Sequence, residues 1–284
     1  MARRNAISCG MIRALCYTHP ALDPFRNMAV DEWLFAQAQR RPGMVVLRLY
    51  TWRTGAITFG CNQRLDHAVV HEALGGTPLI RRVTGGRALY HDPTELTYAV
   101  VVNAEGLPPG PLVGSVARTS AAIAEALTAF LAELGIRSQY LRSSVGGGSH
   151  PAFFHTAPCF ASAARHEVVA DGRKLAASAQ RRMGHTLLQH GAIKPGGVAY
   201  HPALDGPVCP PERTVAPDPV WAQHLHTWSG IFFASLGRSL GVACDEAVLS
   251  EDEERVLDGW AEAVREKALE RRDCIKQEAV EGGL

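Results

Sequence analysis

The sequence predicts an α/β protein in the α+β sense, with a region of short strands flanked by helices. Residues 45–102 consist of short runs rich in β-branched and aromatic residues, and the regions on either side show apolar residues at helical spacing. Size is a third observation, because a chain of 284 residues that is 46% hydrophobic can bury a large core. We therefore expect a globular protein.

The first predicted elements are one helix and five strands. Apolar spacing predicts an amphipathic helix over residues 25–40, which Pro42 and Gly43 end. The strands that follow are predicted over residues 45–50, 56–60, 78–82, 87–90 and 95–102. Between the third and the fourth lie Gly85 and Gly86. This pair alone predicts a hairpin turn, because glycine reaches the positive φ angles of tight turns.

The middle of the chain combines a helix, a long loop and a hairpin. Residues 115–134 have helical spacing, and Gly135 stands where a C-terminal cap would. Residues 143–165 are rich in glycine, proline and small residues, which predicts a long loop of the kind that is usually functional or mobile. Strands are predicted on both sides of an Asp171–Gly172 turn and over residues 186–193. Alternation after the turn predicts one shared face for Lys174, Ala176, Ser178 and Gln180.

The C-terminal part is predicted to be helical. After a proline-rich connection, Ser250 and Glu253 form a capping box before a charged helix. An earlier helix is predicted from one apolar stripe of Trp221, Leu225, Trp228, Phe232 and Leu236. These changes in composition predict a disordered N-terminal tail over residues 1–20, a main domain over residues 21–204 and a helical extension over residues 205–284.

Charge and motif content exclude several classes of function. The 29 lysines and arginines nearly balance the 28 aspartates and glutamates, so neither nucleic acid nor an anionic membrane is indicated as a partner. No apolar run approaches the roughly 20 residues that span a bilayer, and no signal-peptide core is visible, which predicts a cytoplasmic protein. The seven cysteines form no CxxC pair, so no disulfide or metal site is expected. Nucleotide-binding and zinc-protease motifs do not occur, and no cofactor is indicated.

One segment, RRVTGGRALYHDPTELTYAV over residues 81–100, carries more hydrogen-bond donors than a hairpin needs. Arg81, Arg82, Thr84, Arg87 and His91 surround a glycine pair that would let a ligand approach the backbone closely. The pattern indicates a binding site, and the residues alone leave the ligand open.

Two reactive side chains lie further along the chain. Alone, Lys174 would most often be a solvated strand lysine, and Cys159 would most often be a small buried residue. Together they indicate more, because a lysine ammonium near a cysteine favours the thiolate and donates to an acyl oxyanion. The pair therefore predicts a cysteine acyl-transfer site.

Four segments together carry a family resemblance. They are RNMAVDEWL (residues 26–34), LRLYTWRTGAITFGCNQ (47–63), the RRVTGGRALYHD segment and DGRKLAASAQRRMGHTLLQHGAI (171–193). Their order and spacing resemble those of the lipoate-protein ligase A and octanoyltransferase family. The chain looks most like the octanoyltransferase branch that acts on glycine cleavage H protein, because Cys159 lies in PCF before GRK, where that branch carries its nucleophile.

The resemblance implies a biotin/lipoyl protein ligase-like mixed sheet flanked by helices, with a short helical C-terminal extension. It implies that residues 21–204 are the catalytic domain and that Cys159 and Lys174 are the catalytic residues. The donor would be octanoyl-acyl carrier protein, and the acceptor a lysine of a lipoyl domain such as glycine cleavage H protein. No cofactor, metal or ATP is implied. The implied substrate-binding residues are Arg82, Thr84, Gly85, Gly86, Arg87, His91, Ser178, Ala179, Gln180, His190 and Gly191.

Several alternatives stay open. An ATP-dependent lipoate-protein ligase on the same fold would need Lys174 but not Cys159, and a non-catalytic relative would only bind acyl groups or carrier proteins. The family commonly has glycine where this chain has Ala177, and the added methyl could narrow the pocket or simply fill space. The general base could be Lys174 itself, His155, His166 or His190. A candidate docking surface for an acidic carrier consists of Arg137, Arg142, Arg173, Arg181 and Arg182.

Overall fold

The computed structural model describes residues 11–64, 69–142, 166–171, 173–194, 201–204 and 224–281. Its strands are β1 (Ile12–Leu22), β2 (Val45–Trp52), β3 (Ala56–Phe59), β4 (Leu79–Arg81), β5 (Leu89–His91), β6 (Leu96–Asn103), β7 (Gln139–Tyr140), β8 (Val168–Ala170), β9 (Arg173–Met183), β10 (Thr186–Ile193) and β11 (Val242–Glu246). Its α-helices are α1 (Pro24–Gln39), α2 (Val116–Glu133), α3 (Leu225–Leu240) and α4 (Glu251–Glu281).

The strands form two sheets. The main sheet has the order β11-β1-β2-β6-β10-β9-β8-β7, and the small sheet has the order β4-β3-β5. In the main sheet β1 is parallel to β2 and to β11, whereas the other pairs are antiparallel. In the small sheet β3 is parallel to β4 and antiparallel to β5. The predicted α/β class, with a mixed sheet flanked by helices, is confirmed.

Helices cover both faces of the main sheet. On one face α2 and α3 pack together, and Val100 of β6 shares a buried core with Leu127 and Phe130 of α2 and Phe232 of α3. On the other face α1 packs with α4, and Val101 belongs to a second core there. Neighbouring residues of one strand enter different cores, because side chains alternate across a sheet that is buried on both faces.

The ends of the helices follow the local sequence signals. Ser115 accepts a hydrogen bond from a backbone N–H in the first turn of α2 at 3.3 Å. Gly135, with a φ of +77°, takes the left-handed conformation after α2. The predicted capping box forms, since Ser250 and Glu253 exchange hydrogen bonds at the start of α4. In the described part of the chain no helix is both long and apolar enough to cross a membrane.

Two terminal regions depart from the prediction. Residues 12–20, which we expected in a tail, belong to β1, and β1 lies inside the main sheet between β2 and β11. Within the region expected to be helical, β11 pairs with β1, with Val242 opposite Ile12. Buried and exposed residues do not alternate strictly along β1, which hides the period that predicts a strand. Residues 1–10 and Trp221 lie outside the described residues.

The hairpin expected at Gly85 and Gly86 is wrong. β4 and β5 lie on opposite sides of β3, so the segment between them cannot be a hairpin turn of two adjacent strands. Gly60, which follows β3, lies against this segment. A Cβ atom on Gly60 would stand 2.1 Å from the carbonyl O of Gly86. Glycine at position 60 therefore allows this loop to lie close to the end of β3.

Candidate active site

A cavity lies between the main sheet and the small sheet, against α1. The empty space between its walls, together with the open solvent at its mouth, is about 390 Å³. Strands β9 and β10 form one wall, and β5 with the loop after β4 forms the facing wall. The lining residues are Met28, Tyr50, Arg82, Gly86, Leu89, His91, Thr97, Ala177, Ser178, Ala179, His190, Gly191 and Ala192. Segments that are about one hundred residues apart in the sequence thus meet at one cavity.

Two glycines let the walls of the cavity approach closely. Gly86 has a φ of +94°, and a Cβ atom there would lie 3.0 Å from Nη2 of Arg82 and 3.5 Å from Cβ of Ala179. A Cβ atom on Gly191 would stand only 2.1 Å from the carbonyl O of Ala177 on the neighbouring strand. A side chain at position 191 would have to displace the backbone of β9, so the need for glycine there is steric, whereas at position 86 the positive φ favours glycine.

A first buried network, the His91 clamp, consists of Arg82, Thr58, His91 and Glu95. Nη1 of Arg82 donates to Oγ1 of Thr58 at 2.8 Å, and that oxygen lies 2.7 Å from Nε2 of His91. Nδ1 of His91 lies 2.6 Å from Oε1 of Glu95. Burial lowers the pKa of His91 more than Glu95 raises it, so the ring is neutral. The ring therefore donates a hydrogen bond to Glu95 through Nδ1 and accepts one from the Thr58 hydroxyl through Nε2. The ring also stacks on Trp52, with ring centroids 4.1 Å apart.

Lys194 balances the charge of the His91 clamp. Its ammonium pairs with Oε2 of Glu95 and lies 2.8 Å from Oδ2 of Asp92, and all three side chains are buried. Burial alone would raise the pKa of Glu95, but Lys194 and His91 together lower it to about 2. Burial would lower the pKa of Lys194, but the two carboxylates raise it above its ordinary value. The sequence analysis missed Lys194, because its partners come from a distant segment.

A second buried network, the His190 clamp, consists of Thr84, His190, Asp31, Arg48 and Tyr50. Nε2 of His190 lies 2.7 Å from Oγ1 of Thr84, and Nδ1 lies 2.8 Å from Oδ2 of Asp31. Asp31 also accepts from Nη1 of Arg48 at 2.6 Å and from the Tyr50 hydroxyl at 2.9 Å. Burial alone would raise the pKa of Asp31, but Arg48 and His190 lower it. The clamp thus joins β10, the loop after β4 and α1 around an ionised carboxylate.

In both cavity histidines, each of the two ring nitrogens has a protein partner. In each, Nδ1 meets a carboxylate and Nε2 meets a threonine hydroxyl. His190 was a candidate general base, and in this structure protein groups occupy both of its ring nitrogens. The geometry therefore favours an orienting role for His91 and His190 over proton transfer with a substrate.

A match to a family of known proteins covers most of this site. The family model described as the lipoyl protein ligase A/B catalytic domain matches residues 23–194. The chain belongs to this family. Octanoyltransferase LipM of Moorella thermoacetica is 37% identical over 174 residues, which cover 60% of this chain and 61% of that protein. Octanoyltransferase LipM of Kyrpidia tusciae is 41% identical over 169 residues, 59% of this chain and 60% of that protein. The chain thus spans about three fifths of the length of these relatives.

Solved structures share the fold. Lipoate-protein ligase A bound with ATP has a TM-score of 0.63 at 19% identity, over 89% of this chain and 95% of that chain. Protein Ta0514 from T. acidophilum has a TM-score of 0.62 at 18% identity, over 87% of this chain and 93% of that chain. The predicted family and its fold are therefore confirmed.

Most of the family motif residues predicted to bind substrate meet at the cavity. Seven of the eleven line it: Arg82, Gly86, His91, Ser178, Ala179, His190 and Gly191. Three other predicted residues hold lining residues in place through hydrogen bonds. Thr84 holds His190, and the carbonyl oxygens of Gly85 and Arg87 accept from Nη2 of Arg82 at 2.9 and 3.1 Å.

Gln180, the last of the eleven, is not among the residues that line the described cavity. Its Nε2 donates to Oε1 of Gln189 at 2.9 Å and to Oγ1 of Thr119 in α2 at 3.1 Å. Ser178, on the same face of β9, has its Oγ 2.7 Å from the hydroxyl of Tyr98, whose pKa burial raises to about 12. Gln180 therefore ties β9 and β10 to α2 on the face opposite the clamps.

A bulge in β9 decides the face on which Lys174 lies. Val168 pairs with Ala176, but the next residue, Val169, pairs with Lys174, so β9 contains one extra residue, Leu175. Lys174 and Ala176 consequently lie on opposite faces, and the prediction that they share one is wrong. Ala176 enters the core under α2, so Lys174 lies on the cavity face of the sheet.

The structure leaves part of the predicted catalytic site undescribed. Cys159 and His155 lie outside the described residues, so their positions relative to Lys174 remain predictions. Lys174 itself is buried and does not line the described cavity, although Ala177, three residues further along β9, does. His166 stacks with Tyr140 of β7, with ring centroids 6.5 Å apart.

Proposed function

We propose that the protein is an acyltransferase that moves an octanoyl group from acyl carrier protein to a lysine of a lipoyl domain, in lipoate biosynthesis. The observation that carries the proposal is the cavity, which has a wall from the glycine segment, a wall from the GRK strand, and Lys174 on the same sheet face. The apolar part of its lining, which includes Met28, Leu89, Ala177, Ala179 and Ala192, suits an alkyl chain. The relatives named octanoyltransferase LipM support octanoyl as the acyl group.

In the first half-reaction we assign Cys159 as the nucleophile. Its sulfur bonds to the carbonyl carbon of the octanoyl thioester, and the carbonyl electron pair moves to oxygen. The ammonium of Lys174 stabilises this oxyanion. Collapse breaks the bond to the carrier sulfur, which leaves with the proton lost by Cys159. The products are an octanoyl thioester on Cys159 and the free carrier thiol.

In the second half-reaction the ε-amine of the acceptor lysine attacks the thioester carbon. An amide bond forms, the bond to the Cys159 sulfur breaks, and the amine proton passes to that sulfur. Exchange between thioesters changes the free energy little, and conversion of a thioester to an amide lowers it. The two half-reactions therefore need no ATP. Because protein groups occupy both ring nitrogens of His91 and His190, the candidates for proton transfer are Lys174, His155 and His166.

The proposed partners are acyl carrier protein as donor and glycine cleavage H protein as acceptor, with the reaction in the cytoplasm. Five arginines were expected to form a docking surface for the acidic donor. Two of them also form structural contacts: Arg181 donates to the carbonyl O of Val83 at 2.9 Å, and Arg182 donates to Oγ1 of Thr119 in α2 at 3.3 Å. Replacing either arginine would therefore disturb both charge and structure.

An ATP-dependent lipoate-protein ligase is the second candidate, because a lipoate-protein ligase A bound with ATP shares the fold. A ligase would need Lys174 and the glycine segment but no cysteine at position 159. The PCF motif with Cys159 therefore favours transfer. A non-catalytic acyl-binding relative is a weaker candidate, because this chain retains Lys174 together with Gly85 and Gly86.

The test is the intact mass of the purified chain after mixing with octanoyl-acyl carrier protein in the absence of ATP. We expect an octanoyl-sized adduct that hydroxylamine removes and that the Cys159→Ser variant does not form. Addition of a lipoyl domain should then discharge the adduct. Modification of the lipoyl domain only in the presence of ATP and free lipoate would instead identify a ligase.

A further inference from the structure

Lys174 has a buried partner that the sequence analysis did not single out. Oε1 of Glu167 lies 2.6 Å from Nζ of Lys174, and the two side chains are only 9% and 2% exposed. A lysine side chain has a flexible four-carbon stem, so a buried carboxylate at this distance restricts where the ammonium can lie.

The bulge in β9 is what brings Lys174 and Glu167 together. Lys174 lies opposite Val169, and Glu167 lies two residues before Val169, so the two charged side chains are diagonal neighbours on one face. In a regular ladder Val169 would lie opposite Leu175, and Lys174 would point to the other face. The extra residue therefore creates the ion pair and places it on the cavity face.

The backbone next to Glu167 is fixed by the edge of the main sheet. The backbone N–H of Leu141 donates to the carbonyl O of Glu167 at 2.9 Å, and the N–H of His166 donates to the carbonyl O of Leu141 at 2.7 Å. Glu167 thus enters β8 from an anchored position. Its carboxylate is attached to a hydrogen-bonded segment of the main sheet, as a group that orients another side chain requires.

We propose that Glu167 is a positioning residue of the acyl-transfer site, whose carboxylate holds the Lys174 ammonium on the cavity face of the main sheet. The inference rests on the proposed function, since it concerns the part that Lys174 takes in that reaction. Glu167 is not among the residues that line the described cavity, and it acts through Lys174. Its ion pair engages one of the three N–H donors of the ammonium and thereby sets the direction of the others.

The experiment compares Glu167→Gln and Glu167→Asp with the wild-type full chain. Glu133→Gln is the matched control, because Glu133 forms an exposed ion pair with Arg238. For each protein, kcat and KM for octanoyl-acyl carrier protein are measured from transfer to a lipoyl domain, and acyl-enzyme formation is followed by intact mass. We expect Glu167→Gln to lower kcat by about tenfold or more while KM stays within about twofold. Glu167→Asp should regain part of the rate, and Glu133→Gln should match the wild type.

Several results would overturn the proposal. One is a kcat for Glu167→Gln equal to or above that of the wild type. Another is a parallel change in kcat and KM, with a lower thermal midpoint and no rescue by Glu167→Asp, which would make Glu167 structural. If Glu167→Gln does not fold, Glu167→Asp decides: a lower kcat at unchanged KM is expected, and wild-type kinetics refute the role. Absence of acyl-enzyme in the wild-type chain would instead refute the proposed function.

Discussion

The two cavity histidines are held by the same kinds of group, but their clamps join different parts of the fold. His91 sits between Thr58 of the small sheet and a carboxylate just before β6. His190 sits between Thr84, in the loop after β4, and Asp31 of α1. The His91 clamp therefore ties the small sheet to Trp52 of β2 and to Lys194 after β10, whereas the His190 clamp ties the loop after β4 to β10 and to α1.

In each clamp the carboxylate also pairs with a buried cation. Arg48 pairs with Asp31, and both residues are almost completely buried. Lys194 pairs with Glu95 and Asp92. Removing one partner of a buried ion pair leaves an uncompensated charge, so each clamp can be broken separately by a substitution at its cation.

The largest effect is expected from Arg48→Met, which breaks the His190 clamp. The substitution leaves the Asp31 carboxylate buried without its guanidinium and removes hydrogen bonds to Asn27. We expect the free energy of unfolding to fall by about 3–5 kcal/mol, measured by urea denaturation. Arg238→Met is the control, because its exposed pair with Glu133 should contribute only about 0–1 kcal/mol. Equal losses for the two variants would show that the His190 clamp does not hold the layers together.

The second prediction concerns the His91 clamp and acid. The pKa of Glu95 is lowered from an ordinary 4.5 to about 2, so its contribution to stability is present above about pH 4.5 and is lost as the pH falls toward 2. Lys194→Met removes the largest cause of that lowering, so Glu95 should take up its proton at higher pH. We expect the variant to be less stable at neutral pH and to unfold at a higher pH than the wild type during acid titration followed by circular dichroism. An unchanged acid midpoint would contradict this assignment of Lys194.

The elements with a strong local period were predictable from the sequence. α1, α2, β6 and β10 lie where apolar spacing and capping residues placed them, because their patterns depend on neighbours in the chain. β1 and β11 were missed because mixed burial blurs their period. The cavity residues of the two main motifs were also predictable, since both motifs are contiguous in sequence.

The partners of the site residues were not predictable, for a physical reason. The face of Lys174 depends on one extra residue in β9, and a bulge of one residue reverses every side chain beyond it. The roles of Glu167 and Lys194 depend on strand register and on contacts with distant segments. The local sequence pattern around each residue does not predict such contacts.

A smaller loss of stability is expected from substitutions at the threonine of each clamp. Thr84→Val removes one hydrogen bond, to His190, whereas Thr58→Val removes two, one to His91 and one from Arg82. We expect about 1–3 kcal/mol of destabilisation for Thr84→Val and a larger loss for Thr58→Val, by thermal denaturation. Serine at either position should restore most of the stability, because it keeps the hydroxyl. The reverse order, or no rescue by serine, would mean that packing of the threonine methyl dominates.

The smallest effect is expected from Ala177→Gly, which leaves both clamps intact and changes only the space between the walls. Ala177 lies opposite Ala192 in the β9–β10 ladder, and both residues line the cavity. Loss of the methyl should lower the free energy of unfolding by about 0.5–1 kcal/mol and should widen the cavity, so that longer acyl chains gain relative to octanoyl in a competition assay. Ala176→Gly is the control, because Ala176 faces the core under α2 and its methyl lies outside the cavity. That variant should lose stability without a change in chain-length preference. If both variants shift the preference equally, flexibility of β9 sets the acyl length; if only Ala177→Gly does, the space between the two clamped walls sets it.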